Sequence, residues 1–177
     1  MLTPGKQVPA LTIETLGQGT FDLDKNHGKN GTLVIVYRGL HCPICIRQMG
    51  EVEAALDDFV AQGLEVIMIS TDTKDRAEQT VEKAGTSKLR VGYELSLKAA
   101  HEDWGLWISS KRPDSAEADL FAEPGHFYIA PDRTLYFGWQ QTTPFARPST
   151  ADMLGGIKWA LENNYPPRGA YTGDLPS

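Results

Sequence analysis

The chain has 177 residues, a net charge of −6, 41% hydrophobic and 23% charged residues, the balance of one globular domain long enough to bury a core without staples. The acidic charge argues against a general nucleic-acid or anionic-membrane surface, and no apolar stretch approaches the roughly 20 residues of a membrane span. The start, Met1-Leu2-Thr3-Pro4-Gly5-Lys6, lacks the charged-then-apolar order of a secretory signal, so a cytoplasmic location is expected.

Val8–Thr15 and Thr20–Leu23 are predicted to form a hairpin about Gly17-Gln18-Gly19, followed by a polar loop over 24–31. Leu33–Tyr37 is a continuous apolar, β-branched run, as in a strand buried on both faces. Over 43–62, Met49, Val52, Leu56 and Phe59/Val60 recur at spacings of three and four, which predicts one helix with Pro43 near its start and Gly63 as its stop. A second buried strand spans 65–70, and its end, Ser70-Thr71-Asp72, reads as a turn before a helix over 74–84. Arg90–Tyr93 is predicted as a short strand and Ser96–Trp104 as a short helix capped by Ser96. Residues 109–123 form a polar, acidic insertion without periodicity. Strands at 127–129 and 135–139 flank the turn Pro131-Asp132-Arg133, and a helix runs from Ser149 or Thr150 to Asn163. One domain over 1–177 is expected, with 164–177 as a Pro/Gly-rich arm that wraps the surface. The tryptophans at 104, 107, 139 and 159 read as core or interface residues.

The only two cysteines, Cys42 and Cys45, follow the first core strand at C-x-x-C spacing and open the helix. In a first helical turn, unpaired N–H groups and the positive end of the helix dipole favour a thiolate. Two cysteines make no disulfide framework, so redox or metal chemistry is favoured over a static staple. His41-Cys42-Pro43-Ile44-Cys45 offers three metal ligands, but structural zinc takes four and His27, His101 and His126 are scattered. A haem attachment would need the histidine after the motif. The bland alternative is a pair of inert buried cysteines.

The order β-hairpin, β, α, β, α, β-hairpin, α is that of a thioredoxin-like α/β fold, a central mixed sheet flanked by helices, with an N-terminal β-hairpin. The chain resembles the peroxiredoxin-like AhpC/TSA branch of the redoxins, in the subgroup with a C-P-x-C motif. The resemblance is carried by residues 36–45 (Val-Tyr-Arg-Gly-Leu-His-Cys-Pro-Ile-Cys), by Ile69-Ser70-Thr71-Asp72, by Ala122-Glu123-Pro124-Gly125-His126-Phe127-Tyr128-Ile129-Ala130-Pro131-Asp132, and by Pro144-Phe145-Ala146-Arg147-Pro148. Peroxiredoxins carry Pro-x-x-x-Thr-x-x-Cys. That pattern places the peroxidatic position on Cys45, the threonine on Cys42 and the proline on Arg38. The family arginine before a Gly-x-Phe strand falls on Pro124, so Arg38, Arg47 and Arg147 are the candidate replacements. In thioredoxins a cis proline faces the dithiol; here the matching position is Gly125, one residue after Pro124.

The resemblance implies a thiol-dependent oxidoreductase using a Cys42–Cys45 dithiol/disulfide couple, with no metal or organic cofactor. Its substrate would be a hydroperoxide, and its reductant a thioredoxin- or glutathione-type thiol. In a peroxidase Cys45 attacks and Cys42 resolves; in thiol–disulfide exchange an exposed Cys42 attacks and Cys45 resolves. Arg38 and His41 are candidates for lowering the Cys42 pKa, Pro43 for opening the helix, and Arg147 for anchoring the loop before the last helix. A protein disulfide reductase without peroxidase activity is the alternative, and a redox-sensing or binding module comes from a different class. A homodimer covered by the tail is a further expectation.

Overall fold

The computed structural model describes residues 2–176. Its strands are β1 (Thr12–Thr15), β2 (Gly19–Asp22), β3 (Gly31–Val36), β4 (Leu64–Ile69), β5 (Arg90–Gly92), β6 (Ile108–Ser110), β7 (Leu120–Ala122), β8 (Gly125–Ile129) and β9 (Leu135–Gln140). The helices are α1 (Pro43–Ala54), α2 (Leu56–Ala61), α3 (Lys74–Ala84) and α4 (Thr150–Glu162), with a π-helical turn at Ala99–Asp103.

Every residue of β3 is buried, and its side chains alternate between two hydrophobic clusters. Leu33 and Ile35 join Met49, Val52, Phe59, Met153 and Ile157 under α1, α2 and α4. Val34 and Val36 join Phe21, Leu23, Ala100, Trp104 and Leu106 on the opposite face. A strand apolar on both sides can only sit in the middle of a covered sheet. It does: β4 pairs with it in parallel and β8 antiparallel, within the order β2-β1-β5-β4-β3-β8-β9. The thioredoxin-like α/β architecture is therefore present, with the N-terminal hairpin added to the edge through Thr15 and Gly92.

Four details differ from the sequence reading. The helix expected over 43–62 is broken at Ala55, whose backbone (φ −96°, ψ 3°) leaves the helical range. Val52 and Phe59 are both fully buried across the break, and a spacing of seven fits a broken helix as well as a continuous one. The first strand starts at Thr12 instead of Val8, beyond Pro9, which has no N–H for a ladder. The segment Ser96–Trp104 is capped by Ser96 Oγ, which accepts the Ala99 N–H (3.0 Å), but it widens into the π turn. Finally, the acidic insertion is ordered: β6 and β7 pair antiparallel from Ile108↔Ala122 to Ser110↔Leu120.

Of the tryptophans, Trp104 is core, while Trp107, Trp139 and Trp159 are substantially exposed. The tail passes the N-terminal segment, with Gly169 beside Pro4 and Gly5 beside Ala170. Tyr165 holds it to the sheet by accepting the Tyr136 hydroxyl at its carbonyl. No helix among the described residues is long and apolar enough to cross a membrane.

Candidate active site

At the end of β3 the Tyr37 N–H still donates to Ile69 O (2.9 Å), and the chain then turns through Arg38–His41 into α1. The buried Asp72, at the end of β4, braces this turn. Its Oδ2 accepts the Leu40 N–H (2.7 Å), and its Oδ1 accepts Arg76 Nε (2.7 Å). The carboxylate lies so close to Gly39 that a Cβ there would come within 2.5 Å of Oδ2, and Gly39 has φ +128°. Gly39→Ala is therefore expected to cost about 1–3 kcal/mol of stability, read as a lower urea midpoint at unchanged slope.

Cys42 is the N-cap of α1 and Pro43 its first residue, where the missing N–H costs nothing. Cys42 Sγ accepts the Cys45 N–H (3.2 Å), as a serine oxygen would at a helix start. The two cysteines form a disulfide across one helical turn, with Cα atoms 5.3 Å apart. Both are buried, Cys42 with 3% and Cys45 with 0% of its surface exposed. The exposed Cys42 expected for thiol exchange is thus not the arrangement of the oxidised protein. Arg147, from the segment before α4, lies against both sulfurs.

That segment brings Arg147 to the pair. Arg147 Nη2 donates to Cys45 Sγ (3.1 Å) and to Cys42 Sγ (3.4 Å), while Nη1 donates to the carbonyls of Thr143 (3.1 Å) and Ala146 (2.6 Å). Burial and the field of Arg38 push the Arg147 guanidinium below its ordinary value, yet an arginine stays charged at neutral pH. It is a half-buried cation on both sulfurs.

The other candidate arginines lie elsewhere. Arg47 is exposed on α1 and pairs with Glu51 (3.6 Å). Arg38, expected from the sequence to lower the Cys42 pKa, makes no hydrogen bond to either sulfur. It pairs with Glu123 (3.4 Å) and Glu117 (3.8 Å) and lies over the Phe121 ring, 4.8 Å from its centroid. Its charge is spent on β7 and the β6–β7 turn. His41 stacks on the same Phe121 ring (4.5 Å between centroids). Burial, and then Arg38, push His41 below its ordinary value, so it is neutral at pH 7 and brings no positive charge to Cys42. Pro124 is buried just before β8, its carbonyl accepting the Gln141 N–H (3.2 Å). No cis peptide bond occurs among the described residues, so Glu123–Pro124 is trans.

Within the acidic insertion Glu117 and Glu123 are buried and face Arg38, whereas Asp114 and Asp119 are exposed. Glu117 accepts the Arg112 N–H (2.8 Å), Ser115 Oγ (3.0 Å) and Arg112 Nε (3.0 Å). The Arg112 N–H above all holds its carboxyl down to about 2, against the opposing effect of burial. A carboxyl depressed in the folded state stabilises the fold fully above its ordinary value of 4.5, and that contribution fades as pH falls toward 2. Glu117→Gln is expected to flatten that part of the acid limb of stability, measured by urea unfolding at several pH values.

Sequence reasoning missed one pair beneath Arg147. Gln48, one turn after Cys45, and His126, opposite Ile35 in β8, are buried together. The Gln48 amide lies 3.0 Å (Nε2) and 3.2 Å (Oε1) from His126 Nε2, and Gln48 Nε2 also donates to Pro148 O (3.3 Å). Burial, reinforced by Arg147, pushes His126 down to about 3, so it is neutral. Gln48 does stand on the inward side of α1 beside Met49 and Val52, and His126 interrupts an apolar strand. Those were the available signals.

Comparison with known proteins bears on the fold and the family. The AhpC/TSA family profile matches residues 4–137. No curated protein sequence matches the chain. Among solved structures, the peroxiredoxin 6 of Arenicola marina superposes with a TM-score of 0.74 at 17% identity, covering 93% of this chain and 75% of its own. The reduced 2-Cys peroxiredoxin of Plasmodium vivax gives 0.72 at 19%, covering 92% and 98%. The reduced Prx3 of Vibrio vulnificus, in complex with hydrogen peroxide, gives 0.70 at 12%, covering 89% and 99%. At such identities the likeness is one of fold, and the profile match decides the family: the chain belongs to the AhpC/TSA family of thiol-dependent oxidoreductases.

Proposed function

We propose that the protein reduces a hydroperoxide, hydrogen peroxide or an alkyl hydroperoxide, through the Cys42–Cys45 couple, with Cys45 as the attacking sulfur. The observation that carries this reading is Arg147 Nη2, placed on both sulfurs and nearer to Cys45. It stands where a developing thiolate or alkoxide charge needs a donor, and it fills a need that the family threonine and arginine would otherwise meet.

The Cys45 thiolate takes the terminal oxygen of the peroxide. The O–O bond breaks, and the alkoxide leaves as alcohol, or as water, after gaining a proton. Cys45 is now a sulfenic acid. The Cys42 thiol attacks that sulfur, the S–S bond forms, and the hydroxyl leaves as water with the thiol proton. Two external thiols, of thioredoxin or glutathione type, then restore the dithiol and become a disulfide. In the disulfide-bonded protein the two Cα atoms lie 5.3 Å apart, within the normal disulfide range. Recycling by such thiols suits a reducing compartment such as the cytoplasm.

One contact favours the second reading, a protein disulfide reductase. The Cys45 N–H on Cys42 Sγ stabilises a thiolate at Cys42. The second-order rate at which reduced protein consumes hydrogen peroxide separates the two. A rate orders of magnitude above that of a free thiol supports the peroxidase. A rate near the free-thiol value moves the function to thiol–disulfide exchange through Cys42. A second copy of the chain is a further proposed partner, suggested by the exposed Tyr165 and Tyr171 of the tail. A monomeric mass in light scattering would remove it.

A further inference from the structure

The loop that carries Arg147 has little of its own to hold it. Residues 142–146 are largely exposed, Phe145 to 82%, and Arg147 itself donates to two carbonyls of the same loop, which stiffens the loop without attaching it. Upstream, the loop is attached where the Gln141 N–H donates to Pro124 O (3.2 Å). Downstream, Pro148 O accepts Gln48 Nε2 (3.3 Å). Gln48 reaches that carbonyl from the floor of the site, with 2% of its surface exposed, and its amide is seated on His126, with 0% exposed.

An amide and an imidazole buried side by side are costly to desolvate unless each finds a partner. Here the Gln48 amide is the partner of His126 Nε2, while His126 Nδ1 has none, and the same Gln48 nitrogen is also aimed at the residue after Arg147. The geometry fits this arrangement: α1 supplies Cys45 and, one turn later, Gln48, so the helix that carries the sulfur also sets the height of the loop above it.

We propose that Gln48, seated on His126, is a positioning residue that holds Arg147 within hydrogen-bonding reach of the two sulfurs. This deepens the proposed role of Arg147, but concerns the thiolate alone and not the oxidant. His126 must be neutral for this. A protonated imidazole would need a counter-charge, and the charged groups facing it are Arg147, also positive, and no carboxylate within hydrogen-bonding distance.

The test reads thiolate character without peroxide: the pH profile of iodoacetamide alkylation of the reduced protein. Gln48→Met keeps the length of the side chain and removes both hydrogen bonds. It is expected to raise the midpoint of the profile and slow alkylation at neutral pH by about tenfold, the consequence of a shift of one pKa unit. In an Arg147→Met background the same substitution is expected to change nothing further, because its effect runs through the guanidinium. A Gln48→Met protein that folds with an unchanged profile overturns the proposal. So does an equal slowing when Arg147 is already absent, since that would mark a merely structural role. Should Gln48→Met fail to fold, Gln48→Met with His126→Leu removes both buried polar side chains of the pair and carries the same comparison. Because no peroxide is used, failure here is distinct from failure of the peroxidase reading, which the peroxide rate alone decides.

Discussion

Replacement of Cys45 by serine is expected to lower hydrogen peroxide consumption by roughly 10³-fold or more, the scale seen when a nucleophile is removed outright. Cys42→Ser is expected to behave differently. It should consume one equivalent of peroxide at near wild-type rate and stop as a sulfenic acid on Cys45 that a dimedone-type reagent traps. The reasoning rests on position. Cys45 sits inside the first turn of α1, fully buried, and is the closer sulfur to Arg147 at 3.1 Å. Cys42 sits at the cap with its sulfur already accepting the Cys45 N–H, so it is poised to attack a neighbouring sulfenic acid and close the ring. Mass spectrometry after a single peroxide addition reads the result. Sulfenic acid trapped in Cys45→Ser and not in Cys42→Ser would reverse the two roles and remove the peroxidase assignment as stated.

The second large effect belongs to Arg147. A hydrogen bond to a charged group contributes about 1.5–3 kcal/mol, so Arg147→Met is expected to slow the peroxide reaction about 10- to 100-fold. Arg147→Lys should recover only part of this, because a single ammonium cannot bond two loop carbonyls and two sulfurs in one planar geometry. The sign of the pH effect follows. A cation beside a thiolate lowers the thiol pKa, so the reactive form is present at lower pH in the wild type. Removing the cation shifts the rising limb of the pH–rate profile to higher pH. A slower variant with an unshifted limb would mean that Arg147 acts on the leaving oxygen alone. By contrast, Arg38→Met is expected to leave that limb in place and to loosen the β6–β7 hairpin, because the partners of Arg38 are Glu117, Glu123 and Phe121.

How much of this could be read without coordinates depends on the range of the interactions involved. The buried strand, the dithiol at a helix start and the proline that opens the helix are properties of contiguous residues. Alternation, dipole and capping act within a turn or two. The order of elements then limited the topology to a thioredoxin-like sheet. The insertion over 109–123 defeated periodicity because its strands are three residues long and two of its four carboxylates, Glu117 and Glu123, are buried against Arg38. Composition says that acids are there and not which way they turn. Asp72 was read as a turn former, yet its carboxylate braces Leu40 from 32 residues away.

By itself the sequence determined that there is one redox-capable cysteine pair, on the first turn of a helix that follows a buried strand, because those relations are local. Only the tertiary structure decided which cation meets the sulfurs. Arg38 is four residues from Cys42 and Arg147 is 105, but the nearer arginine is neutralised by two buried carboxylates and the distant one lies on both sulfurs. The physical reason is that strand pairing fixes where the loop before α4 crosses α1. Gln48 and His126, which no local rule connects, become neighbours only when β8 pairs with β3 beneath that crossing.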